Sequence, residues 1–175
     1  VSMAPNGEVS GLRTALAMGA AKAILVSDDA LKGAGALDTA KVLAAAIGRV
    51  EGADLILAAT ESSDGYTGTV PEQIAELLDW PALTFAKHIE IADGKVKIER
   101  QTEAGFDEVE ASLPAVASVT AGVVEPRYPS FKGIMAAKNK PVDEVTVADL
   151  GLDASDVGWA GADQEVVDVT AAAER

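Results

Sequence analysis

Residues 53–79 constrain this chain more than any other stretch. A short apolar run, Leu55-Ile56-Leu57-Ala58-Ala59, passes into a polar turn from Thr60 to Gly68, and the turn delivers the chain into a helical pattern. An apolar run of this length bounded by turn residues reads as a short strand, and a strand followed at once by a helix is the unit from which parallel sheets are built. Such a turn presents unpaired backbone N–H groups and the positive end of the helix dipole at the sheet edge, and an anion such as phosphate satisfies both. The stretch reads as the phosphate-side wall of a nucleotide pocket. Asp64, Thr67 and Thr69 add carboxylate and hydroxyl groups beside Gly65 and Gly68, where the backbone can approach a ligand closely. Solvated turns of the same composition that bind nothing are also common.

The chain around this stretch repeats the pattern. Pro5-Asn6-Gly7 is a turn; Val9, Leu12, Ala15, Leu16 and Met18 recur at helical spacing, and Gly19 closes that helix. Ala23–Val26 is a buried strand ending in Ser27-Asp28-Asp29, polar residues at a carboxyl end where open sheets bind ligands. Asp38 or Thr39 is the expected cap of a helix with Val42, Leu43, Ala46 and Ile47 on one stripe, ending at Gly48. After the polar turn, Thr69 and Glu72 have capping-box spacing around Pro71, the apolar face is Val70, Ile74, Leu77 and Leu78, and Asp79-Trp80-Pro81 stops the helix. Ala82–Phe85 resumes as a strand. The reading is α/β, a doubly wound, mainly parallel, Rossmann-like sheet of the adenine-nucleotide-binding kind.

From residue 87 the period changes to two. Lys87–Ile91 and Val96, Ile98 and Arg100 flank a hairpin turn at 92–95, Phe106–Ser112 alternates again, and Ala115–Val119 follows Leu113-Pro114 as a buried strand. An antiparallel hairpin extension beside the parallel sheet is expected. Pro126 and Pro129 then hold 123–133 extended, so Arg127, Tyr128 and Phe131 sit on a protruding loop without an obvious sheet partner. A short helix follows at Ile134–Lys138, and Lys132, Lys138 and Lys140 form a basic cluster in an acidic chain. Residues 1–151 read as a single α/β domain that includes the loop and helix at 123–138. Residues 152–175 read as an irregular tail that packs on something or stays mobile.

With 28 acidic and 14 basic residues the net charge is −14, which argues against nucleic acid and against anionic membrane surfaces. The absence of Cys removes disulfides, thiolate metal sites and cysteine nucleophiles, and suits a reducing, cytoplasmic setting. No run of apolar residues is long enough to insert in a membrane. The first ten residues read as the end of a strand and a turn rather than as a leader, so the natural chain is expected to start earlier. The phosphate-loop, dinucleotide and hydrolase fingerprints are all missing. His88 reads as a half-exposed strand residue, and Asp28/Asp29 and Asp107/Glu108 as solvated pairs, since neither pair has a His or Cys beside it. No catalytic residue is proposed.

Several segments together resemble one family. Ala15–Ala20, Ser62-Ser63-Asp64-Gly65-Tyr66-Thr67-Gly68 leading to Ile74–Pro81, Leu113–Val116 and, above all, Glu125-Pro126-Arg127-Tyr128-Pro129-Ser130-Phe131-Lys132-Gly133-Ile134-Met135-Ala136-Ala137-Lys138 resemble the β subunit of electron transfer flavoprotein, in order over residues 1–151. The resemblance implies an electron-carrier subunit rather than an enzyme. It would pair with an α subunit that holds most of the FAD, accept electrons from acyl-CoA and related dehydrogenases of fatty acid oxidation, and pass them through a quinone oxidoreductase to the respiratory chain. It also implies a structural AMP whose phosphate falls to Ala59, Ser62, Ser63, Asp64, Gly65, Tyr66 and Thr67. The family's partner-docking loop matches Arg127, Tyr128, Pro129, Ser130, Phe131, Lys132, Gly133, Ile134, Met135 and Ala136, with Phe131 as the apolar anchor. Val124 stands where the family usually has Asn. The family's N-terminal strand and C-terminal helix have no counterpart here, so a partial chain is expected. The rival reading is a stand-alone adenine-nucleotide enzyme or sensor, which would call for a catalytic phosphate loop; a third is an α/β interaction module with an idle turn.

Overall fold

The computed structural model describes residues 1–4, 6–63, 65–162, 164 and 166–171; Asp64 lies outside the described residues. In chain order the elements are β1 (Ser2–Met3), α1 (Ser10–Ala17), β2 (Ala23–Val26), α2 (Ala36–Ile47), β3 (Leu55–Ala59), α3 (Val70–Leu78), β4 (Ala82–Ala92), β5 (Lys95–Thr102), β6 (Gly105–Ser112), β7 (Ala115–Val119), α4 (Phe131–Ala137), β8 (Val142–Val145) and α5 (Gly158–Gly161). The α/β class and the antiparallel extension are as expected, but the strands form two sheets. One is parallel throughout, in the order β1-β2-β8. The other runs β3-β7-β4-β5-β6, parallel from β3 to β4 and antiparallel from β4 to β6.

Helix α2 explains the split. Its Val42 and Ala46 pack with Ile24 and Val26 of β2 and Val145 of β8, while Ala40 and Ala44 pack with Ile74 and Ala75 of α3 and Val116 of β7. A helix apolar on two sides is buried on two sides. It therefore stands between the sheet of β2 and the sheet of β3, where the sequence reading expects one doubly wound sheet. The small side chains at Ala40, Ala44 and Ala46 let the elements approach closely, and Ala40 and Ala46 are fully buried. On the other face of β2, Ala23 packs with Leu16 of α1 and Ala137 of α4, so the three-stranded sheet is covered on both faces.

Strand β7 differs from expectation in another way. It lies between β3 and β4 in the parallel part rather than in the antiparallel extension, with Leu55 opposite Ala115 and Ala59 opposite Val119. Its residues 115–118 are all buried, as a central strand covered on both faces requires. The pleat sends Val116 toward α2 and α3, and Ala115 and Ala117 into a second core on the opposite face with Leu83, Val96 and Ile98. Strand β8 has no sequence signal of its own, because exposed Asp143 and Glu144 sit between its two valines.

Two expected caps do not form. Helix α2 starts at Ala36 after Gly35, without a side-chain cap, and places Asp38 inside its first turn. Thr69 is the N-cap of α3, but its hydroxyl accepts from Gln73 Nε2 at 3.4 Å and caps no backbone amide. Residues 157–159 pack back on the first core. Val157 is buried there, the Trp159 N–H donates to the Lys32 carbonyl, and Gly158 adopts φ +61° where a Cβ would come within 2.0 Å of the Ala30 carbonyl oxygen. No helix among the described residues is long and apolar enough to cross a membrane.

Replacing Ala40 by Leu at the α2–α3 contact is expected to cost about 1–3 kcal/mol through overpacking. The readout is a lower denaturation midpoint at unchanged m-value; an unchanged midpoint would mean that the contact has slack and that α2 does not set the spacing of the sheets.

Candidate functional site

The parallel strands β3, β7 and β4 come level at their carboxyl ends, where Ala59 stands opposite Val119 and Val119 opposite Ala86. Three loops therefore meet one edge: the polar turn after β3, the turn after β7 and a bulge in β4. In the polar turn the Tyr66 N–H donates to the Ser62 carbonyl and the Gly65 N–H to Ser62 Oγ, each at 3.3 Å. Tyr66 takes φ +51° and Gly68 φ +69°, so the chain coils tightly before α3. Ala59, Ser62, Ser63, Gly65, Tyr66 and Thr67 are all exposed. Because Thr69 caps no amide, the first turn of α3 keeps its backbone donors turned to this edge. Glu72 Oε2 and Gln73 Oε1, also at the head of α3, are buried acceptors without a hydrogen-bond partner among the described residues.

The bulge is held by three side chains. Phe85 adopts φ +58°, a costly conformation for an aromatic residue, and its N–H donates to Ser118 Oγ at 3.1 Å. Arg100 Nε donates to the Thr84 carbonyl and Thr120 Oγ1 to the Ala86 carbonyl, each at 3.2 Å. Ser118 is the buried polar residue of the described core. These contacts satisfy the backbone groups that the bulge removes from the ladder and leave Phe85 partly exposed.

A second cluster lies on the other sheet. Residues 123–130 carry no regular structure, and Ser130 then caps α4 by accepting from the Gly133 N–H at 3.0 Å. Phe131 is 81% exposed and Tyr128 92%. Helix α4 lies against α1 so closely that a Cβ on Gly133 would come within 2.4 Å of the Ala17 carbonyl oxygen. The two helices also satisfy each other's carboxyl ends. Arg13 Nη1 donates to the Ala137 and Lys140 carbonyls at 2.8 and 2.9 Å, and Lys140 Nζ donates to the Leu16 and Ala20 carbonyls at 2.9 and 2.6 Å.

Comparison with known proteins meets this geometry. The family model for the electron transfer flavoprotein domain matches residues 1–150. The chain belongs to the electron transfer flavoprotein domain family. The electron transfer flavoprotein subunit beta of Mycobacterium tuberculosis is 45% identical over 163 residues, covering 93% of this chain and 61% of the relative. The subunit of the same name from Thermoanaerobacterium thermosaccharolyticum is 39% identical over 168 residues, covering 95% and 64%. The caffeyl-CoA reductase-Etf complex subunit CarD of Acetobacterium woodii is 39% identical over 152 residues, covering 87% and 58%. The chain thus spans about three fifths of the length of these relatives.

Within this electron transfer flavoprotein domain the sequence-predicted residues fall in two separate places, the polar turn on the five-stranded sheet and the segment 127–136 beside α1. Asp64 of the turn lies outside the described residues. Most of the groups considered for acid–base chemistry have structural partners. Asp28 accepts from the Ala30 N–H at 3.0 Å and the Val147 N–H at 3.2 Å, which ties the end of β2 to the chain after β8 rather than offering it to a ligand. Lys32 bonds Asp29 and holds its carboxyl below the ordinary range. His88 and Glu90 pair at 3.3 Å in the open, and Glu108 pairs with Lys97 at 3.0 Å. No group of three or more metal-ligating side chains assembles among the described residues. Arg13, Lys140, Ser118, Thr120 and Arg100 were not legible as site residues, because their partners are backbone groups 16 to 127 positions away.

Ser118→Ala is expected to leave the part-buried Phe85 N–H without its acceptor and to destabilise the domain by about 1 kcal/mol. Amide hydrogen exchange should speed up at Phe85 first; exchange unchanged at that position would remove Ser118 as the support of the bulge.

Proposed function

We propose that this chain is the β-subunit part of an electron transfer flavoprotein, pairing with an α subunit, and that it serves as a docking and nucleotide-binding unit rather than as a catalyst. The observation that carries the reading is the family match over residues 1–150, joined to a segment that projects Phe131 from a capped, clamped helix. The name of one relative places it in a complex with a CoA-thioester reductase. That supports enzymes acting on CoA thioesters as redox partners of this chain, among which acyl-CoA dehydrogenases and related enzymes would be the electron donors. The flavin, when bound, carries the electrons, so this chain needs no acid or base of its own.

The polar turn fits the phosphate of an AMP in chemistry. Its donors are the hydroxyls of Ser62, Ser63 and Thr67 and backbone amides other than those of Gly65 and Tyr66, which bond Ser62, at the uncapped head of α3, and the glycines let a phosphate come close. Ala59 and Ser62 through Thr67 would hold it, and Glu72 Oε2 and Gln73 Oε1 want donors of the kind that a nucleoside's hydroxyl and amino groups supply. On the other sheet, residues 127–136 would hold the dehydrogenase, with Phe131 in an apolar pocket of the partner. The exposed apolar residues Leu57 and Ile91, on the face that carries the second core, suit the α subunit. The onward electrons would go to a quinone oxidoreductase and the respiratory chain.

Mass spectrometry of small molecules released from the full-length complex with its α subunit tests the reading. AMP together with FAD is the expected result, and a complex that releases no nucleotide overturns it. Phe131→Ala should raise the KM for the dehydrogenase about 30-fold, as loss of a central aromatic anchor does, at unchanged FAD content. FAD content falling in step with activity would remove Phe131 from the docking role.

A further inference from the structure

The α1–α4 contact leaves a cavity of about 570 Å³ behind Phe131, lined by Arg13, Thr14, Ala17, Pro129, Ile134 and Lys138. That is room for one or two side chains of a partner. Its walls are fixed from both sides. Gly133 seats α4 on the Ala17 carbonyl, and the reciprocal bonds of Arg13 and Lys140 lock the ends of both helices. The floor is apolar and the rim is cationic. Residues 9–23 and 123–140 together carry six basic residues and one acidic residue, Glu125, in a chain whose net charge is −14. Arg127, Lys132 and Lys138 form no salt bridge among the described residues. Arg13 Nη1 gives both of its hydrogens to carbonyls, so Arg13 is held in the wall, and Lys138 is the lining cation on the rim that forms no salt bridge among the described residues.

We propose that this groove is a second anchoring pocket of the docking surface, and that it receives an apolar side chain flanked by a carboxylate on the partner dehydrogenase. The proposal rests on the docking reading and names a part of the surface that Phe131 does not reach. Phe131 enters the partner; the partner enters the groove. Charge complementarity selects the occupant, since the acidic remainder of this chain repels other acidic surfaces and this patch attracts them.

The test uses the full-length complex with its α subunit and a purified acyl-CoA dehydrogenase as probe, with binding measured by surface plasmon resonance. Thr14→Trp fills the groove from an exposed helical position, and Lys138→Glu reverses the charge of the rim. Thr14→Trp should weaken binding about tenfold, mostly through faster dissociation, at unchanged FAD content. Lys138→Glu should weaken binding about tenfold at low salt and match the unmodified complex near 0.5 M salt, where exposed charges are screened. Wild-type affinity in Thr14→Trp overturns the groove proposal even when Phe131→Ala weakens binding. Loss of FAD or of the α subunit in Thr14→Trp means that the groove is covered inside the complex, and overturns it as well. An effect of Lys138→Glu that persists at high salt refutes the carboxylate contact. If Phe131→Ala binds as tightly as the unmodified complex, it is the docking reading itself that fails.

Discussion

Burial of α2 on two sides holds the rest of the molecule in place. Val42 and Ala46 close the core of the three-stranded sheet, and Ala40 and Ala44 close the contact with α3 and β7. One helix thereby fixes the spacing of two sheets that share no hydrogen bond between strands. The polar turn belongs to one sheet and the segment around Phe131 to the other, so α2 also sets the relation between the two proposed functional surfaces. The alanines are what make this possible, since larger side chains at the same positions would push the layers apart.

Most of the surface chemistry is backbone chemistry. Arg13 and Lys140 serve helix carboxyl ends, Asp28 serves two amides, and Ser118, Thr120 and Arg100 serve a bulge. Side chains used in this way are spent on positioning. What they position is exposed: Tyr66 and Thr67 at the carboxyl edge of one sheet, Tyr128 and Phe131 beside the other. That division of labour suits the proposed role, in which the chain would bind a nucleotide and a protein partner and leave electron transport to a flavin.

Much of the fold was legible in the sequence because it is local. The helices α1 and α3, the alternation of β5 and β6 and the turn at 92–95 each depend on side-chain periodicity within a few residues and form where that periodicity predicts, although Ala15 and Leu77, read as part of the apolar stripes, are exposed. Caps were less legible: Asp38 and Thr39 suit an N-cap chemically, but the helix begins earlier, at Ala36, where packing of Ala40 against α3 favours helical backbone. Strand β8 was not legible, because two acidic residues between two valines form a strand only when β2 offers an edge. The site divides in the same way. The polar turn and the Pro-bounded segment carry their own chemistry, whereas the α1–α4 clasp joins residues more than 120 positions apart.

The sequence by itself determined the α/β class, the strand-to-helix turn and the projecting aromatic segment, since all of these follow from short-range sterics and hydrogen bonding. Only the tertiary structure decided that α2 separates two sheets, that β7 lies between β3 and β4, and that α1 and α4 clasp around a cationic groove. Those outcomes depend on which buried faces meet, and a buried face gains its free energy from residues that can lie anywhere in the chain.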